Sequence, residues 1–271
     1  MEEHAPGEVD DDLWPDEELL VTEDAAPLDG VYQEKMQRLL ASALHDSWPG
    51  PVDADGQPRP FVAMANVGLF FHPEDPPLVP DHLLSADVRL PADVKAKRGR
   101  SYFTWRYGKP PDVVVEVVSN REGRELDHKL AIYERIRVAH YVVFAPFGSL
   151  GEVRVRCFEL HGQRYVDRLD PRFEALGLSL VEWDGVFEDL PSTWLRWATL
   201  DGVPILTGRE RAEQERERAE QERERAEQEH ERAEQEHDRA EQEHDRAEQE
   251  RERAERLAAR LRALGIDPDE V

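Results

Sequence analysis

The chain has a single cysteine, Cys157, in 271 residues, which excludes an internal disulfide and gives no sign of an oxidising compartment. This thiol reads as a small buried strand residue rather than a nucleophile. Long apolar runs are missing as well: none approaches the ~20 residues that a membrane helix needs. The first residues, MEEHAPGEVDDDLWPDEE, lack the basic region and apolar stretch of a secretion signal, so a soluble cytoplasmic protein is expected. Positive charge is absent at the start, with twelve acids and no Lys or Arg in residues 1–30. The net charge is −25, of which −12 lies in that segment and −9 in residues 209–271, leaving −4 for the body between them. Such acidity argues against non-specific binding of the whole chain to nucleic acid and leaves room for a local site.

Four regions follow from composition and periodicity. Residues 1–28 are acidic and non-periodic, and are expected to be disordered; residues 29–207 form one folded domain. Its first element is a helix from Val31 to about His45, with Met36, Leu39, Leu40, Ala43 and Leu44 at helical spacing, closed by Trp48-Pro49-Gly50-Pro51. Residues 60–71 read as a strand interrupted near Asn66–Gly68, and a proline-rich loop leads to another strand starting at or just after Asp81. Further on, His161-Gly162 signals a hairpin, and Asp184-Gly185 is expected to separate two short strands. The segment Trp194-Leu195-Arg196-Trp197 is expected to seal an edge of the core.

Residues 208–264 repeat AEQE(R/H)(E/D)R every seven residues, with Ala at 212, 219, 226, 233, 240, 247 and 254. One alanine per heptad buries too little for a strong dimeric seam. Glu–Arg pairs at i,i+3 and i,i+4 support a charged helix instead, solitary or weakly paired. His230, His237 and His244 share one heptad position and are read as copies of the repeat. Leu257, Leu261 and Leu264 could grip a protein partner, ahead of a short tail at 265–271.

The stretch that raises a chemical question is PPDVVVEVVSNREGRELDHKLAIYERIRVAHYVVF, residues 110–144. Its valines point to both faces, as suits a strand covered on both sides. Glu116 lies among them, and a buried carboxylate costs several kcal/mol unless paired, protonated or metal-bound. The next helix carries Leu126, Leu130, Tyr133 and Ile136 on one stripe, and Lys129 lies on that same stripe, aimed at an anion rather than at solvent. Asp112 shares the strand face of Glu116 by alternation, and Asp81 can meet both if its strand is a neighbour. Carboxylates without His or Cys form a hard oxygen site suited to Mg²⁺ or Mn²⁺. Before this strand, Lys95, Lys97, Arg98, Arg100, Arg106 and Lys109 interleave with Tyr102, Phe103, Trp105 and Tyr107. That loop is a candidate for phosphate and base contacts, or else a solvated loop whose aromatics pack inward.

Several spaced blocks, VPDHLLSADV, SYFTWRYGKPPDVVVEVVSNREGRELDHKLAIYERI, AHYVVF, WLRW and PILTG, resemble the Uma family of endonucleases, within the PD-(D/E)XK superfamily, over about residues 19–207. The end, LAARLRALGIDPDEV after a charged helix, resembles the tail of many members. The resemblance implies an α/β (α+β) fold with a restriction-endonuclease-like mixed sheet flanked by helices. It also implies a metal-dependent nuclease acting on DNA. Asp81 corresponds to the first acid, Glu116 to the second and Lys129 to the lysine, with Asp112 as a further ligand or support. Val118 stands where the superfamily's lysine would follow Glu116, and the family pattern moves that lysine to the next helix. Dimerisation is expected by analogy. Three rivals stand beside this reading: a structural ion pair between Glu116 and Lys129, a catalytically inactive interaction module recruiting partners through its helical tail, and a hydrolase of small phosphate esters.

Overall fold

The computed structural model describes residues 30–118, 123–148 and 153–263. Residues 1–29, 119–122, 149–152 and 264–271, which include the acidic N-terminal region, Leu264 and the tail, lie outside them. The chain divides into a body up to Arg211 and a second unit from Ala212. In chain order the elements are α1 (Val31–Ser47), β1 (Phe61–Ala65), β2 (Leu69–Phe70), β3 (His82–Ala86), β4 (Tyr102–Phe103), α2 (Thr104–Tyr107), β5 (Val113–Val117), α3 (Gly123–Ile136) and β6 (His140–Phe144). They continue with β7 (Val155–His161), β8 (Arg164–Arg168), β9 (Arg172–Phe173), β10 (Leu178–Phe187), β11 (Leu190–Thr199) and α4 (Gly208–Ala263).

The valine run makes β5 an interior strand because both of its faces are covered. It lies third in a six-stranded sheet of order β1-β3-β5-β6-β7-β8. β5 and β6 are parallel, joined through α3, and every other neighbouring pair is antiparallel. Val113, Val115 and Val117 pack with α1 residues Met36, Leu39, Leu40 and Leu44 and with Trp194 and Trp197 of a second sheet, β11-β10-β9. Val114 faces the other way, toward Tyr133 and Ile136 of α3 and Tyr102 of β4. Glu116, two residues on from Val114, therefore points to the α3 face.

The hairpin β7–β8 forms where His161-Gly162 signals it. The Asp184-Gly185 turn does not form. β10 and β11 pair without interruption from Leu178↔Thr199 to Phe187↔Leu190, and the chain reverses at Glu188-Asp189, both at positive φ (46° and 65°), as a tight two-residue hairpin requires. Gly185 has a different task. A Cβ there would come within 2.1 Å of the Trp183 indole, so the glycine leaves room for a ring that stacks on the Arg196 guanidinium at 4.7 Å. Trp194 and Trp197 lie on β11, an edge strand of its sheet, and are buried in the core. Cys157 is buried in β7, where burial pushes its thiol up to about 12, as an inert strand residue requires.

α4 runs for 56 residues, about 84 Å at helical rise. Its first turn belongs to the body. Thr207 Oγ1 accepts from the Glu210 backbone N–H (3.3 Å), and Glu210 Oε2 accepts from the Thr207 N–H (2.8 Å), a reciprocal capping arrangement. Arg196, 4% exposed, grips the same carboxylate with both guanidinium arms, at 2.8 and 2.6 Å. Beyond that turn the side chains of α4 described here are exposed almost without exception.

Candidate active site

The position of Asp81 follows from strand register. β3 and β5 pair His82↔Val115 and Leu83↔Val114, and one step further, just ahead of β3, that register sets Asp81 opposite Glu116. Asp81 Oδ2 accepts the backbone N–H of Val117 at 2.6 Å, and Oδ1 accepts the amide of Gln37, on α1, at 2.7 Å. Glu116 is 4% exposed. Lys129 Nζ donates to its Oε2 at 3.0 Å, and the Tyr133 phenol donates to its Oε1 at 2.7 Å. Lys129 and Tyr133 are four residues apart on α3 and so share a face; the lysine side chain keeps 26% of its exposure, its stem on the core and its head at the edge of solvent.

Burial, the largest influence, pushes the Glu116 carboxyl up to about 7; Lys129 and Tyr133 pull it down, and the Asp81 charge pushes it up. Two carboxylates thus share a poorly solvated corner with one ammonium. That donor set fits a hard divalent cation, since Mg²⁺ is commonly held by one or two carboxylates with the remaining positions left to water and phosphate. Among the described residues no group of three His, Cys, Asp or Glu side chains gathers as a metal site.

Asp112, expected beside Glu116, is not brought to it. It sits four residues back, just ahead of β5 and roughly 13 Å away along the chain, where its Oδ2 accepts from Ala86 N–H (2.7 Å) and Lys109 Nζ (2.6 Å). Alternation places the two acids on one face, and length along the strand separates them. The basic loop also divides. Lys109 is committed to Asp112 and the Ala86 carbonyl (3.1 Å), Lys95, Arg98 and Arg100 are exposed, and Lys97 and Arg106 are half-buried. Two of its aromatics turn inward, and Trp105 and Tyr107 are half-buried. Tyr102 and Phe103 are fully buried, and Tyr107 stacks on Tyr102 at 4.2 Å.

Gln37 and Tyr133 join the site in addition to the residues expected from the sequence. Gln37 is a polar residue on the helical stripe of Leu40 and Leu44, the same signal that marked Lys129. Tyr133 reads as core, and nothing in its spacing distinguishes a ring that only packs from one whose hydroxyl meets a carboxylate. On the opposite face of β3, His82 is fully buried, and neither ring nitrogen has a hydrogen-bond partner among the described residues. Burial holds its imidazole neutral, pulled down to about 3.

A mixed sheet whose parallel pair is joined by a helix, with two acids meeting across its register and a lysine from that helix, defines a restriction-endonuclease-like protein. Comparison with known families agrees. The chain matches the Uma2 family, described as "Putative restriction endonuclease", over residues 16–181, and belongs to it. No curated protein matches the chain. No described helix is long and apolar enough to cross a membrane.

Proposed function

We propose that this protein is an endonuclease that hydrolyses phosphodiester bonds in DNA with the help of Mg²⁺ or Mn²⁺. The observation that carries the reading is the buried Glu116 of β5, met by Lys129 from α3 and set across the register from Asp81. Asp81 and Glu116 would hold the ion. Bound there, the ion would supply Lewis acidity toward the phosphate and a water of lowered pKa. Lys129, with its head at the edge of solvent, orients the attacking water or offsets charge that develops on the phosphate. Lys95, Arg98 and Arg100, exposed on one loop, are suited to the phosphate backbone. The test is plasmid cleavage by purified full-length protein with Mg²⁺ or Mn²⁺. Glu116→Ala is expected to lose cleavage by about 10³-fold or more, and equal cleavage by wild type and variant would sink the assignment.

A second reading, a nuclease-fold module that recruits partners, draws on the long exposed α4. It requires nucleic-acid or protein binding that survives the loss of Glu116 and Lys129 and disappears with residues 209–271.

A further inference from the structure

We propose that Tyr133 is a positioning residue of this site, fixing the orientation of the Glu116 carboxylate so that, with Asp81, it can hold a divalent cation. This rests on the reading of Asp81 and Glu116 as a metal-holding pair. A glutamate does not fix its own carboxylate plane, because its terminal torsion is broad and roughly two-fold. Here the plane is set by two donors from one helix: Lys129 on Oε2 at 3.0 Å and Tyr133 on Oε1 at 2.7 Å. One tether would leave the group free to swing about it; two spanning both oxygens define the plane, and the remaining lone pairs are left for a ligand between Glu116 and Asp81.

Tyr133 suits the task in a further way. Its ring is fully buried and packs at 4.9 Å against Tyr141, so the hydroxyl is delivered by a side chain that cannot relax elsewhere. Removing the hydroxyl leaves Oε1 buried with one donor fewer. Groups that orient metal ligands in this way commonly contribute about 10–100-fold in metal affinity or activity.

A phenol that merely satisfied a buried carboxylate would affect stability alone, so the test reads metal binding without turnover. Free Mn²⁺ is followed by electron paramagnetic resonance as it is titrated into full-length protein. The site's share is defined as the Mn²⁺ bound by wild type and not by Glu116→Ala. Tyr133→Phe keeps the ring and is expected to weaken that share about 10–100-fold; in cleavage assays it lowers kcat and leaves KM for DNA unchanged. The control is Tyr165→Phe, which removes another phenol of the same core cluster, bonded at 2.8 Å to the Val138 carbonyl. It is expected to leave Mn²⁺ binding as in wild type. Wild-type affinity in Tyr133→Phe, or equal losses in both phenol variants, would overturn the positioning role alone. Absence of a Glu116-dependent Mn²⁺ site in wild type would overturn the metal-holding pair and this role together.

Discussion

Glu116 is held charged by Lys129 and Tyr133 and pushed toward neutrality by burial and by Asp81, and burial is the larger influence. The consequence is a pH-dependent cost to folding. Its ordinary value is 4.5 and its folded value about 7, so between those pH values the unfolded chain has released a proton that the folded chain still holds. Stability therefore falls as pH rises through that window, by about 1.4 kcal/mol per unit at most, and the loss is complete above it. Glu116→Gln keeps the acceptor oxygen and removes the charge. In EDTA its advantage over wild type in urea denaturation is expected to grow across the window to about 1–3 kcal/mol at alkaline pH, and with Mg²⁺ present its cleavage is expected to be lost. A variant less stable than wild type at alkaline pH would mean that the Lys129 pairing outweighs the burial cost. At this scale the sequence was partly legible. An acid inside a valine run and a lysine on an apolar stripe are local anomalies, visible without a fold. Tyr133 is no anomaly in its own helix, and only the approach of β5 gives its hydroxyl a partner.

Among the elements, β10–β11 and the first turn of α4 show how tertiary contacts redirect local signals. Asp184-Gly185 is a strong turn dipeptide, yet ten-residue pairing carries β10 through it and the reversal falls at Glu188-Asp189. The glycine is retained by the close approach of Trp183. Trp183 in turn lies against Arg196, whose guanidinium holds Glu210 and, at 2.8 Å, the Ile205 carbonyl. One carboxylate therefore caps α4 and neutralises a buried arginine. Glu210→Ala removes both functions and leaves Arg196 short of its anion. The expected loss in urea denaturation is about 2–4 kcal/mol, against less than about 0.5 kcal/mol for Glu229→Ala on the exposed part of α4. Comparable losses at the two positions would show that the anchor contributes nothing beyond an ordinary surface charge.

On the scale of the whole molecule, two units with different sources of order share one chain. The body is held by two apolar clusters on either face of a mixed sheet. The unit from Ala212 has almost no buried side chain among those described and relies on helix propensity and charge pairs, such as Arg251–Glu255 at 3.3 Å and Arg256–Glu252 at 2.8 Å. Pairs of this kind are screened by salt, and burial of apolar surface is not. Raising NaCl from about 0.01 M to about 1 M is thus expected to lower the temperature at which the α4 helical signal at 222 nm fades. All six tryptophans precede α4, so their fluorescence reports on the body, whose melting should not move down with it. Coincident shifts of both signals would contradict separate sources of order.

Hydrophobic period, turn chemistry and the heptad repeat are properties of neighbouring residues, and they were enough to determine α1, the strand–helix–strand unit around Glu116, the β7–β8 hairpin and the charged helix. The site was half legible for the same reason: Glu116 and Lys129 announce themselves within one local unit. The rest depends on register between strands distant in the chain. Pairing of β3 with β5 sets Asp81 opposite Glu116 and leaves Asp112 beyond the far end of the strand, although alternation alone puts Asp112 and Glu116 on one face. Packing of α1 and α3 at that corner then brings Gln37 to Asp81 and Tyr133 to Glu116. Spacing along a chain limits which side chains can share a face; only the assembled sheet decides which of them share a place.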